Sequence, residues 1–285
     1  MAATATSSAT SELLAHCTGR FDYALPSDLA WSGGQQKIYL LKVSLESLQG
    51  HPDSSPIWKR QLGTTLAETH VESVPAVPAR EFDLRGVGPA AWLHLSPKRP
   101  DLVTLLAMKP MPDANLALFL RAEASAGREP IAEGVVTNVA ASYVPGSPQG
   151  FCTGPGAFVI APSVNERASA SFTAHGLEVS VETETAKAPD DGQSTEGELP
   201  AGSSRLMKQT RSVGGFDGIE EHVRIVDGHD PVQIIYTWIF AGHAADGAAP
   251  RIRLMAAAME GQSVGLDPAW NALLASWRLR PVGTR

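Results

Sequence analysis

The chain has 285 residues, of which 43% are apolar and 19% charged, the balance of a globular protein able to bury a sizeable core. Its net charge of −7 excludes the basic footprint of a nucleic-acid binder. No apolar run approaches the roughly 18 residues of a membrane-spanning helix, and the length favours two domains of ordinary size.

The N-terminus, "MAATATSSATSELLAH", is small, polar and uncharged up to Glu12. It lacks the basic start and apolar centre of a secretory signal. It fits two origins equally, the stretch just after a signal-cleavage site in an exported protein and a cytosolic start. "LLAHC" is not a lipidation site, because His16 is too large for the position before a lipidated cysteine and no apolar segment precedes it. Residues 1–16 are expected to be a flexible segment.

Strands are expected from residue 17 to about 50. Phe21, Tyr23 and Leu25 alternate with Asp22 and Ala24, and "QQKIYLLKVSLESL" is an apolar strand-like run bounded by Gly33-Gly34. From His51 to Pro100 the prolines are dense, which predicts loops, edge strands and short segments. "DLVTLLAMKP" reads as a buried strand closed by Pro110. "DANLALFLRAEASAG" is expected to start a helix at Asp113, with Leu116, Phe119 and Leu120 on one face. "IAEGVVTNVAASYV" reads as another helix, ended by Pro145-Gly146. "PGSPQG" is the best linker and divides the chain into an N-terminal lobe, 17–145, and a C-terminal lobe, 146–285.

The second half is more regular. "GLEVSVETET" places Leu177, Val179 and Val181 on one face and polar residues on the other, the pattern of a strand in an antiparallel sheet. "VRIVDGHDPVQIIYTWIFAG" reads as two strands joined through Asp227-Gly228. The second of them, Val232 to Phe240, is apolar on both faces and belongs in the middle of a sheet. "PRIRLMAAAM" is a further strand. In "DPAWNALLASWRLRP", Asp267 is expected to be the N-cap and Pro268 the first helical residue. Trp270, Leu273, Leu274 and Trp277 then form one buried stripe. The fold class expected is α+β, two lobes that are each a mainly antiparallel sheet with helices packed on one face.

A search for chemistry finds no catalytic set. G-x-S-x-G and H-E-x-x-H do not occur, and none of the eight histidines lies within four residues of another. Two cysteines cannot build a structural zinc site alone. The glycines at 154–156 and 214–215 lack the setting of a phosphate loop and read as turns. His222 shares a strand face with Glu220 and not with Glu221. A solvated face is expected there rather than a catalytic dyad. His229 and Asp230 belong to a turn with Pro231. The acidic stretch from Glu178 to Glu198 holds seven acids and one base. It is expected to be a solvated loop or, as a functional reading, an acidic grip on a basic partner through Asp190, Asp191, Glu196 and Glu198. No catalytic residue, metal or cofactor is expected.

Several stretches together carry a resemblance. Cys17 and Cys152 each open a Cys-Thr-Gly triplet, in "CTGRFDYALP" and "GFCTGPG". With them go "RLMKQTRSVGGFDGIEEHVRI", "YTWIFAG" followed by "APRIRLMAA", and the ending "LASWRLRP". In order and spacing the chain resembles immunity proteins that neutralise type VI secretion phospholipase effectors, the Tli family of class four. One departure is that "VRIVDGHDP" leads into "VQIIYTWIFAG" without the family's Gly-rich ending. The resemblance implies a periplasmic, non-enzymatic protein. Its two lobes would bind a cognate secreted phospholipase of the α/β-hydrolase type, grip its cap or cleft and block lipid access. A periplasmic location would let Cys17 and Cys152 bond, as two cysteines in an exported chain usually do. The competing readings are a periplasmic ligand-binding protein and a hydrolase with a non-sequential catalytic set. The first would need an aromatic-lined cleft, yet aromatics are only 6% of the chain.

Overall fold

The computed structural model describes residues 12–49, 53–68, 80–94, 101–185, 199–226, 231–244 and 246–282. The first half begins with β1 (Leu13–Thr18), β2 (Phe21–Pro26), β3 (Ala30–Ile38) and β4 (Leu41–Ser47). It continues through α1 (Ser55–Glu68), β5 (Arg80–Leu84), β6 (Gly88–His94), β7 (Leu102–Met111), β8 (Leu116–Ser125) and α2 (Glu129–Ser142). Three short strands follow, β9 (Tyr143–Pro145), β10 (Phe151–Thr153) and β11 (Gly156–Phe158). The second half holds β12 (Arg167–Ala174), β13 (Leu177–Glu184), β14 (Ser204–Val213), β15 (Phe216–Ile225), β16 (Gln233–Phe240) and β17 (Arg251–Met259). It closes with α3 (Leu266–Ser276) and β18 (Arg278–Leu279). The class is α+β, and every ladder between these strands is antiparallel.

One sheet dominates, with twelve strands in the order β14-β15-β16-β17-β13-β12-β3-β4-β8-β7-β6-β5. It runs through both halves, because β12 of the second half pairs with β3 of the first. The expectation of two separate sheets meeting at 145–152 is therefore corrected. What divides is the core. Strands β12, β13, β16 and β17 pack with α3 around Trp238, Trp270 and Leu273. Strands β4 to β8 are covered on one side by Val136 and Val139 of α2, and on the other by Ile57, Trp58 and Leu62 of α1. The first half thus carries helices on both faces, not on one.

The chain also crosses over at its seam. Phe21, Tyr23 and Leu25 of β2 belong to the α3 core of the second half, and β18 pairs with β2. Conversely, Phe151 and Phe158 pack in the core of the first half. Position 146 therefore does not separate the cores. The "PGSPQG" stretch is tied to the C-terminal segment, since Gly150 N donates to Pro281 O at 2.9 Å. Strand β1 starts at Leu13, which shortens the expected flexible segment. Residues 1–11 lie outside the described residues.

Other expectations are corrected by packing. The stretch expected to start a helix at Asp113 is strand β8, because Ala117, Leu118, Phe119 and Leu120 are all buried. Four consecutive buried residues need cover on both faces, which α2 gives to Leu118 and Leu120 and α1 to Ala117 and Phe119, while β4 and β7 pair with the two edges of β8. The Pro-rich region holds α1, whose Pro56 stands in the first turn, where its missing N–H costs no helical bond. "QQKIYLLKVSLESL" is not one run but the β3–β4 hairpin, turning at Tyr39 and Leu40 with φ of 50° and 69°. At α3 the cap position is Gly265, which has no side chain to cap with. Asp267 sits inside the first turn, where it favours the helix dipole, and accepts a bond from Tyr236 Oη at 2.9 Å. The helix stripe falls as expected, with Trp270, Leu273, Leu274 and Trp277 all buried.

Candidate functional site

The seam between the two cores is where residues distant in sequence converge. Cys17 on β1 and Cys152 on β10 are joined by a disulfide, their Cα atoms 6.0 Å apart. Next to it, Cys152 N donates to Gly19 O, and Gly19 sits at φ 58° with no room for a Cβ against Thr183 and Ala168. The glycine of the first Cys-Thr-Gly triplet is thus required by a turn at a close approach.

The adjoining Arg20 is only 3% exposed and forms a two-pronged ion pair with Glu166, itself 6% exposed, through Nε at 2.7 Å and Nη2 at 2.6 Å. Arg20 Nη2 also donates to Ala161 O, and Ser163 N donates to Glu166 Oε1. Burial pushes the Glu166 carboxyl up from its ordinary range, opposed by the Arg20 guanidinium and the Ser163 N–H. From β2 itself, Asp22 accepts from Arg280 at 2.6 Å, and Arg280 also donates to Ser147 O at 2.8 Å. The disulfide and these two clusters fasten the two cores to each other.

Two hollows flank β3 at this seam. One, about 750 Å³, is lined by Cys17, Trp31, Leu45, Gly154 and Phe172. The other, about 510 Å³, opens beside Gln61 and Thr65 of α1. Both are bordered by Gly34, Gln36, Val43 and Ser44, so they meet at the same gap in the sheet. Trp31, at 67% exposed, stands at the mouth of the larger one. Leu40 and Val164, both exposed, line the smaller. A large exposed aromatic beside a hollow is a natural anchor for a protein partner.

Among the sequence candidates, the Glu220–His222 face is corrected. Glu220 is 1% exposed and Glu221 is buried too, so neither is a solvated acid. Trp270 Nε1 of α3 donates to Glu220 at 2.7 Å, Gln209 Nε2 at 2.9 Å and Arg211 Nη1 at 3.1 Å, and His222 Nε2 lies at 3.1 Å. His222 stacks on Tyr236 with ring centroids 3.5 Å apart. Burial works to raise the Glu220 carboxyl, but the bonds from Trp270, Gln209, Arg211 and His222 outweigh it and hold the group below the usual carboxylate range. The arrangement staples α3 to β14 and β15. It would have been hard to find, because its donors come from positions 209, 211 and 270.

A carboxyl titrating below its unfolded value contributes stability that is present above the unfolded carboxylate range and is lost as pH falls through the lowered folded value. Glu220→Gln is expected to cost about 1.5–3 kcal/mol at neutral pH, as for a hydrogen-bonded charged group. The deficit should begin to shrink as pH falls below the ordinary carboxylate range and go on shrinking through the lowered folded value. Urea unfolding at a series of pH values measures this, and a deficit that stays constant down to about pH 3 would show that charge is not involved.

Asp190, Asp191, Glu196 and Glu198 lie outside the described residues, as do Asp227, Gly228, His229 and Asp230. The Gly214-Gly215 pair forms the β14–β15 turn at φ 60° and 89°, and Gly154 the β10–β11 turn. Among the described residues, no group of three or more His, Cys, Asp or Glu could hold a metal ion, and no helix is long and apolar enough to cross a membrane.

The fold is that of immunity proteins of the type VI secretion system. The apo structure of the immunity protein TplEi from Pseudomonas aeruginosa superposes with a TM-score of 0.71 at 16% identity, over 95% of this chain and 98% of that one. A chain of the crystal structure of the Tle4–Tli4 complex gives 0.70 at 16% identity, again over 95% and 98%. TplEi complexed with "L" peptide gives 0.66 at 17% identity, over 96% and 100%. No family model and no curated protein matches the sequence.

Proposed function

We propose that this chain is an immunity protein that binds a cognate type VI secreted antibacterial phospholipase and inhibits it by occlusion, contributing no catalytic group. The observation that carries this reading is the likeness to solved immunity proteins along nearly the whole length of both chains, one of them solved in an effector–immunity complex. The partner is an α/β-hydrolase whose cap or cleft is gripped so that lipid cannot enter, and the encounter takes place in the periplasm. The disulfide supports that location, because such bonds persist in oxidising compartments. Two core-bearing lobes on one continuous sheet can contact both sides of a cap, each contact raising the effective concentration of the other.

The direct test mixes the purified chain with candidate secreted phospholipases, starting with any encoded next to its gene, and follows hydrolysis of phospholipid vesicles. Stoichiometric loss of hydrolysis is expected, with a buried interface of about 1,600 Å² or more. Undiminished hydrolysis at an excess of this chain overturns the reading.

The acidic stretch is assigned a role in steering. Replacing Asp190, Asp191, Glu196 and Glu198 together by Asn and Gln is expected to slow association about tenfold at low salt, weaken its salt dependence and leave dissociation unchanged. Stopped-flow mixing at several salt concentrations measures this. An unchanged association rate at low salt would make the stretch a solvated loop only.

A further inference from the structure

The dominant sheet is split at its centre. Strand β3 runs over nine residues, Ala30–Ile38, yet it pairs with β4 only through Gln36, Lys37 and Ile38. Beyond Gln36 and Val43 the two strands diverge, β3 following β12 and β4 following β8. A bulge in the β3–β12 ladder at Ser171 and Phe172 accompanies the bend.

The direction of the main-chain groups follows from two bonds. Leu48 N donates to Asn115 O, on the β8 side, so the even-numbered residues of β4 face β8 and the odd-numbered ones face the gap. Gln35 N donates to Ser169 Oγ of β12, so the next residue, Gly34, directs its N–H and C=O to the gap. Gly34 on one side, and Leu45 and Ser47 on the other, therefore present main-chain donors and acceptors to the gap, and among the described residues no strand pairs with them there. These same strand segments line the 750 Å³ hollow, with Trp31 exposed at its mouth.

Two facing strand edges with unpaired main-chain groups are a template for a further strand. An extended chain is the occupant that satisfies both edges, because only a main chain carries donors and acceptors at strand spacing on both of its sides. A small ligand of the same volume could satisfy a few of these groups but not two rows. We infer that the opening between β3 and β4 receives an extended segment of the partner protein, which adds as a strand with main-chain bonds to Gly34, Leu45 and Ser47 and is covered by Trp31. This rests on the partner being the phospholipase proposed above, and it names the kind of element that the phospholipase would contribute.

The test is amide hydrogen exchange of the full chain, free and mixed with that phospholipase, combined with affinities of three variants. Exchange at Gly34, Leu45 and Ser47 is expected to slow at least tenfold in the complex. Ser47→Pro removes a gap-facing N–H and none of the β4 N–H groups that face β8, although Ser47 stands opposite Leu116, whereas Ser47→Ala keeps it. Ser47→Pro should bind about tenfold more weakly than Ser47→Ala, and Trp31→Ala about thirtyfold more weakly than wild type. A phospholipase that binds while these amides exchange as in the free chain overturns the inference alone, even if the proline variant proves unstable. A phospholipase that does not bind the wild type overturns the functional reading and this inference with it.

Discussion

Replacing Cys17 and Cys152 together by serine is expected to lower the stability of the chain by about 4–5 kcal/mol, the chain-entropy figure for so long a loop. The bond closes a separation of 135 residues, and it joins the strand pair that completes one core to the strand pair that completes the other. The variant should still fold, because Cys152 N to Gly19 O and the Arg20–Glu166 pair hold the same place without covalent help. Urea unfolding of oxidised wild type, reduced wild type and the double serine variant measures the effect. The last two should agree, and a loss under about 1 kcal/mol would show that the reduced chain is already held in its native arrangement when unfolded.

Trp270→Ala is expected to cost about 3–5 kcal/mol, the range for emptying a buried indole site. Trp270 is 1% exposed in the α3 core, and its Nε1 donates to Glu220 at 2.7 Å. Phenylalanine separates the two contributions, since it keeps an aromatic ring and removes the donor. Trp277 provides the contrast. It is stacked on Phe21 at 4.7 Å between ring centroids, but its buried Nε1 has no hydrogen-bond partner. Trp270→Phe should therefore cost about 1–3 kcal/mol more than Trp277→Phe, the worth of one hydrogen bond to a buried carboxylate that keeps its other donors. Equal losses would mean that the bond to Glu220 contributes nothing. Partner affinity of the folded fraction should be unchanged in all of these variants, because both rings face the core.

The parts legible in the sequence were those where one local rule decides. Alternation identified β13, and the helical stripe identified the buried face of α3. Where two periods fit equally, the sequence misled. Leu116, Phe119 and Leu120 satisfy a helical stripe, and only the cover on both faces of β8 makes them a strand. The hairpin turn at Tyr39 and Leu40 was hidden because neither residue signals a left-handed backbone. The seam itself was partly visible as the repeated Cys-Thr-Gly triplet. The gap between β3 and β4 was not, since it depends on which neighbour each strand follows once the two part. The buried Glu220 was misread for a related reason, as strand alternation states which residues share a face but not what lies above it.

The exchange of strands at the seam bears on the order in which the protein can be made. Asp22 and Arg280 are bonded across 258 residues, and β2 finds its cover only when α3 has formed. During synthesis β2 is available long before its partners, and the α3 core cannot close until those last residues emerge. Such long-range closure predicts slow folding and a lasting need for protection of Phe21, Tyr23 and Leu25 from aggregation. It also means that a nonsense change just before Leu266 would unseat the strands near residue 20 as surely as it removes the helix itself. A fragment spanning residues 146–285 alone would lack the β1–β2 pair and should not reproduce its half of the molecule. A working fragment of the second half would need residues 13–29 grafted back, through a linker long enough to run from Arg280, beside the β1–β2 turn, to Leu13 at the opposite end of that hairpin.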